Sequence, residues 1–118
     1  MNRVVIELKK EHRGGNKSTS FAGREEGKLV REALLLDEKD KDNILYKIIM
    51  PEDTTSFNPS FYLGLFFPSI YLLKWDEFRN KYQIDLSNFS TELQPIIQMN
   101  LEECERKAKN ELDGKIAF

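Results

Sequence analysis

Cysteine and histidine are almost missing from this chain of 118 residues, which has one of each, Cys104 and His12. A single thiol excludes an internal disulfide and suits a reducing compartment, so a cytoplasmic location is expected. One cysteine and one histidine cannot assemble the usual Cys/His zinc sets, and neither a metal site nor a cofactor is expected. A Cys–His nucleophile pair would need these two residues to meet. Cys104, however, falls on an apolar helical face, where a thiol is ordinarily inert core. A long hydrophobic run is missing too. The longest, "FYLGLFFPSIYLL", falls short of the roughly 20 residues that span a bilayer and carries Pro68 and two tyrosines. The opening "MNRVVIELKKEH" turns charged too early for a signal peptide. Neither sign of charge dominates: 18 basic residues face 20 acidic ones, for a net charge of −2. That balance gives no global attraction to nucleic acid or to an anionic membrane. With no catalytic constellation in view, a binding module is expected rather than an enzyme.

The residues present suit a packed α/β domain. The chain is 40% hydrophobic and 32% charged, and its length fits one domain, residues 1–118. "RVVIEL" (3–8) is β-branched and apolar, a strand pattern. The glycines of "EHRGGN" and the following "KSTSFA" suggest that the first 22 residues form a hairpin. From Gly23 the period becomes helical. Leu29, Val30, Ala33 and Leu34 share one face, predicting an amphipathic helix over about 23–36, with Glu25 and Glu26 near its positive end. "DEKDKDN" (37–43) has the composition of a solvated loop and lacks calcium-loop spacing. "ILYKIIM" (44–50) is nearly continuous apolar, as in a strand buried on both faces.

The stretch "SFNPSFYLGLFFPSI" (56–70) predicts a buried helix. Asn58 suits the N-cap and Pro59 the first helical position. Phe57 and Tyr62 are spaced as a hydrophobic staple. Gly64 suggests close packing, and Pro68 a kink or break. "YQIDLSN" (82–88) is a further strand. Ser90 and Thr91 open a last helix to about Leu112, with Ile97, Leu101, Cys104 and Ala108 on one face and Asp113-Gly114 as its stop. "KIAF" is left as a short edge strand or a loose end. The fold expected is α/β: a mixed sheet of about four strands, with an N-terminal hairpin and central parallel strands, against about three helices. "GGNKST" (14–19) lacks the glycines of a phosphate-binding loop and reads as a turn. Trp75 and Phe78 read as core edge.

Two segments in order, "SFAGREEGKLVREALL" (20–35) and "SFNPSFYLGLFF" (56–67), resemble the STAS-like domain of unknown function, a small bacterial family. Phe21, Ala22, Arg24 and Gly27 match its Phe-Ala-x-Arg-x-x-Gly helix start. Ser60 and Phe61 match its second, hydroxyl-Ser-Phe helix start, and the likeness covers roughly residues 3 to 105. STAS domains proper include the anti-sigma factor antagonists, in which an Asp-Ser-Ser-Gly helix start carries a serine phosphorylated by a partner kinase. The resemblance lays Asn58-Pro59-Ser60-Phe61 on that motif and Ser60 on the modifiable serine. It implies a regulatory protein-interaction module of the partner-switching type. Its partner would be a protein, for instance a histidine-kinase-type ATPase acting on serine.

Two readings of the site residues stand side by side. Asn58 and the serines cap a buried helix, or Arg24, Asp53, Ser56, Asn58 and Ser60 meet a partner. Arg24, a cation at a helix N-terminus, needs either a structural partner such as Asp53 or Glu52, or a ligand. The alternative function is a sensor of a small anion or nucleotide held at the helix N-termini near Arg24 and Asn58.

Overall fold

A computed structural model describes residues 2–14 and 17–116. The chain runs through β1 (Val4–Glu7), a 3-10 turn (Lys10–Arg13), β2 (Ser20–Phe21), α1 (Arg24–Ala33), α2 (Leu36–Lys39) and β3 (Tyr46–Ile49). It continues through β4 (Ser56–Phe57), α3 (Pro59–Leu73), α4 (Trp75–Lys81), β5 (Tyr82–Ile84) and α5 (Gln94–Ile116). The main sheet has the order β1-β3-β5, all parallel, and a second, minimal parallel pair joins β2 to β4. Among the described residues no helix is long and apolar enough to cross a membrane.

The strand order has a direct consequence. Two successive β–helix–β crossovers that step the same way across a sheet, with the usual right-handed sense, stack their helices on one face. The residue pattern agrees. Ile6, Tyr46, Ile48 and Tyr82 alternate toward one side and are buried, whereas Val5, Glu7, Lys47, Ile49 and Gln83 alternate to the other and are exposed or half-buried. On that second face the ammonium of Lys47 lies 3.6 Å from the Asp85 carboxylate. "ILYKIIM" is therefore a strand buried on one face rather than two.

Between sheet and solvent lies α3, the apolar centre. Phe61, Leu65 and Ile70 are fully buried, with Phe66 and Tyr62 nearly so. Its rings join an aromatic chain: Phe21–Phe61, Phe57–Phe61, Tyr62–Phe66 and Phe66–Phe78 have centroids 5.1 to 5.3 Å apart. Helix α1 crosses α3 where two glycines meet. A Cβ on Gly64 would overlap the Arg24 carbonyl oxygen and stand 3.1 Å from the Lys28 nitrogen. A Cβ on Gly27 would overlap the Phe61 carbonyl and stand 2.8 Å from the Leu65 nitrogen. The close packing expected at Gly64 is thus backbone against backbone. Helix α5 covers the other flank with the expected face, Ile97, Leu101, Cys104 and Ala108, all buried.

Several expectations are corrected. The N-terminal hairpin does not form. Instead the 3-10 turn redirects the chain, and the buried Arg13 donates to Asp53 (2.9 Å) and Thr54 (3.2 Å) beyond β3, which draws β1 and β2 to different partners. Among the described residues the strand pairs are all parallel rather than mixed and are divided between two sheets, and there are five α-helices rather than about three. The segment 37–43 is not a solvated loop, since Leu36–Lys39 is helical and Asp40 is buried. Pro68 sits on the exposed side of an unbroken α3, so burial of the surrounding turns outweighs one missing backbone bond. Gly114 does not stop α5: it projects into open space, and helical bonding runs on to Ile116. Lys115 and Ile116 are therefore helix rather than edge strand, and Ala117 and Phe118 lie outside the described residues, as do Gly15 and Asn16 of the "GGNKST" turn.

The glycine crossing is testable. Gly64→Ala forces α1 and α3 apart, and overpacking of this kind typically costs about 1–3 kcal/mol or more. Gly114→Ala meets nothing and should instead stabilise α5 by up to about 1 kcal/mol. Denaturant unfolding of both variants decides the point; equal stability of Gly64→Ala and wild type would contradict the crossing.

Candidate functional site

The start of α3 is held from three directions. Asn58 occupies the N-cap position with extended backbone, and its carbonyl accepts from the Tyr62 amide at 3.0 Å. Its side chain makes no capping bond; its own N–H donates to the Phe21 carbonyl of β2 at 2.8 Å. The preceding amide, of Phe57, donates to the Asn100 side chain of α5 at 3.1 Å. The staple forms, with the Phe57 and Tyr62 rings edge to face at 6.1 Å. Phe61 then plunges into the core at 0% exposure, while Ser60, the residue before it, is exposed. A hydroxyl is therefore presented on a turn whose flanking residues are bonded to β2 and α5.

The other predicted site residues separate. Ser56 is half-buried and donates to Ser20 across the β2–β4 pair at 2.6 Å, beside a Thr19–Thr55 hydroxyl contact of 2.8 Å. Arg24 does not reach Asp53 or Glu52. Its guanidinium pairs with Glu111 of α5 at 3.0 Å, because α1 crosses α3 toward the far end of that helix. Asp53 belongs to Arg13, which holds it by two nitrogens at 2.9 and 3.3 Å, with Lys10 at 3.7 Å. The Arg13 hydrogen bond sets the Asp53 carboxyl below its ordinary range. Asn58 and Ser60 thus remain together at the start of α3, with Ser56 just upstream.

The serines of this stretch have three different fates, and the third is the largest feature that sequence reasoning missed. Ser69 is fully buried and donates to both Asp40 oxygens, at 2.7 and 2.8 Å. Arg31 of α1, 7% exposed, donates to Ser69 (2.8 Å), to the Leu65 carbonyl (2.9 Å), to Asp40 (2.7 Å) and to Asp37 (2.8 Å). The Tyr82 hydroxyl completes the cluster by donating to Asp40 at 2.6 Å. Every partner is satisfied, the condition under which a buried ion pair can be tolerated. The available signal was Arg31 beside the buried Val30 on α1, together with a serine facing inward from an otherwise apolar helix.

A second cluster lies beside it. The Lys81 ammonium donates to the Asp42 carboxylate (2.8 Å) and to the carbonyls of Asp42 (2.7 Å) and Ile44 (2.9 Å). The Tyr46 hydroxyl donates to the other Asp42 oxygen. Burial pushes the Asp42 carboxyl up, but the bonds from Lys81, Tyr46 and the Ile44 amide bring it below its ordinary value. The Tyr46 phenol is pushed up to about 12 by burial and by the same carboxylate.

His12 and Cys104 do not meet. His12 accepts from the Lys9 amide in the 3-10 turn, whereas Cys104 is buried on α5 and donates to the Phe57 carbonyl at 3.3 Å. Burial and the flanking Glu103 and Glu105 push the thiol up to about 12. Trp75 packs against Phe78 with centroids 6.0 Å apart, at the edge of the core. Comparison with protein-family models, with curated proteins and with solved structures finds no match.

Two tests follow from these clusters. Asp40→Ala leaves Arg31 buried without its main counter-charge, and removing one partner of such a pair costs about 3–5 kcal/mol; Asp37→Ala, at the exposed end, should cost under about 1 kcal/mol. Similar losses for the two variants would contradict the buried network. The acid limb gives the second. A carboxyl whose folded pKa lies below its unfolded value of 3.8 contributes stability that is present above that value and is lost as pH falls through the folded one. Asp42→Asn should therefore flatten the loss of stability below about pH 4. An unchanged pH profile would rule the Lys81–Asp42–Tyr46 bonds out as a contributor.

Proposed function

We propose that this chain is a non-enzymatic regulatory module that binds a protein partner through the start of α3, with Ser60 as its control point. One observation carries the reading: Ser60 is exposed on the residue immediately before the fully buried Phe61. The turn is pinned by β2, by α5 and by the Phe57–Tyr62 staple, so a change at Ser60 alters what a partner meets rather than how the domain folds.

Phosphorylation supplies such a change. It adds about −1.5 to −2 charges beside the free N–H groups of the first turn and the positive end of the helix dipole, a position that stabilises negative charge. The domain therefore tolerates the modification. A partner packed against the same turn does not, because an added dianion in a partly apolar interface must lose its water, at a cost of several kcal/mol if unpaired. The resemblance to anti-sigma factor antagonists motivates the partner class, a histidine-kinase-type ATPase that modifies serine in the cytoplasm. The anionic-ligand alternative near Arg24 gains no support of its own, since Glu111 already supplies that guanidinium with a carboxylate.

The test compares wild type, Ser60→Ala and Ser60→Asp. Melting temperatures should agree within about 3 °C, less than a 1 kcal/mol change would produce in a domain of this size. In pull-downs from native extract, wild type and Ser60→Ala should retain a protein that Ser60→Asp loses. Identical capture by all three, or unfolding confined to Ser60→Asp, would contradict the proposal.

A further inference from the structure

The main sheet ends on one side at β1, and that edge is open. The Val4 and Leu8 amides donate to the Leu45 and Ile49 carbonyls beside β3, at 2.9 and 2.8 Å. Main-chain groups alternate sides along a strand, so those of Val5 and Glu7 point away from β3, and among the described residues they meet no partner. Val4 and Val5 are each 50% exposed. The opposite edge differs. β5 has three residues, the amide of its first, Tyr82, is spent on the Phe78 carbonyl of α4, and residues of α4 and α5 wall its flank.

Sheets ordinarily blunt such an edge with lysine, proline or a bulge. "RVVIEL" (3–8) has neither lysine nor proline, and β1 keeps an unbroken register with β3 from Val4 to Glu7. What it has instead is charge that complements itself. Glu7 is exposed and, among the described residues, pairs with no cation. The Arg3 guanidinium donates to the Tyr46 and Lys81 carbonyls, at 3.1 and 3.2 Å, and meets no carboxylate. When two copies of the strand are laid antiparallel about a two-fold axis, the centre decides which residues oppose. An axis at Arg3 or at Glu7 sets like charge against like. An axis at Val4 or Ile6 leaves Arg3 opposite Val5 or Lys9. An axis at Val5 sets Val5 against itself, Val4 against Ile6, and Arg3 against Glu7 twice. Opposite charges directly across a strand pair stabilise it and like charges destabilise it, so the Val5 register is favoured.

We propose that β1 pairs antiparallel with β1 of a second copy about a two-fold axis at Val5, joining the two β1-β3-β5 sheets edge to edge. Val5 is the right residue for the axis because its main-chain groups face outward: the two copies exchange N–H to C=O bonds there, with Cα atoms about 5.5 Å apart. Its side chain lies on the face of the sheet away from the helices, so the two valines meet outside the core. Both copies use the same edge, and the assembly therefore closes at two. The contact is short, which places the dimer among weak, reversible ones. The inference is independent of docking at Ser60.

Sedimentation equilibrium of the full chain tests it. The weight-average mass should rise reversibly from that of one chain toward that of two as concentration goes from micromolar to submillimolar, and should stop at two. Val5→Lys and Val5→Glu, made at a half-exposed position, should each keep the mass of one chain, because each sets like charges together at the axis. Mixed in equal amounts, the two variants should associate again, since lysine then faces glutamate. Glu7→Lys, at an exposed position, tests the register without touching Val5 and should weaken association about threefold or more. The proposal is overturned if wild type stays at one chain up to submillimolar concentration, or if its mass grows past two. It is also overturned if the Val5 variants associate as wild type does, if their mixture remains at one chain while each is folded by circular dichroism, or if Glu7→Lys associates as strongly as wild type.

Discussion

Backbone touches backbone where Gly27 of α1 meets Gly64 of α3, and the positions of the other helices depend on that approach. With no side chain between them, the two helices carry their later residues into contact. One turn beyond Gly27, Arg31 comes within bonding distance of the Leu65 carbonyl and of Ser69. At the other end, Arg24 clears α3 and reaches Glu111 of α5. A methyl group at either glycine would move all of these at once. The matched glycine of the Phe-Ala-x-Arg-x-x-Gly segment thus has a steric reason that does not depend on any family.

The buried polar cluster acts as a second lock. Arg31, Asp37, Asp40, Ser69 and Tyr82 come from α1, α2 and the turn after it, α3 and β5, so the cluster exists only when all four regions are in register. Its net contribution to stability is small, because desolvation of the charges offsets most of their attraction. Its contribution to specificity is larger: a slipped α1 would leave a guanidinium unpaired in an apolar interior. The stacked Tyr46 and Tyr82 rings, 5.6 Å apart and opposite each other in the β3–β5 register, join this cluster to the Lys81–Asp42 cluster.

Legibility followed the range of the forces involved. The start of α3 was readable because residue preference for the N-cap position, the staple and the proline preference are local, and Asn58, Pro59, Phe57 and Tyr62 all lie within six residues, although Asn58 takes its position without a side-chain capping bond. The inward face of α5 was readable because a 3.6-residue period survives any tertiary context. Strand pairing was not, because a glycine-rich turn after "RVVIEL" fits a hairpin equally well until Arg13 is seen to be tied to Asp53 across forty positions of sequence. Asp40 looked solvated among five charged neighbours, and only the distant Arg31, Ser69 and Tyr82 explain its burial. In the candidate site, Ser60 and Asn58 were legible as the first turn of a helix. The partners of Arg24 and Asp53 were not, since ion pairs between distant segments leave no periodic trace.

The account that emerges is of a domain whose interior is over-determined around one exposed hydroxyl. Glycine contact, aromatic chain and buried ions fix α3, and α3 fixes the turn that presents Ser60. The most direct measurement is the backbone amide NMR spectrum of Ser60→Asp beside wild type. The account predicts shifts confined to the first turn of α3 and its immediate supports, Phe21, Phe57 and Asn100, with the amides around Arg31, Ser69 and Tyr82 unmoved. Changes spread through those buried residues would mean that Ser60 is part of the fold's framework, and the separation of anchor from signal would be wrong.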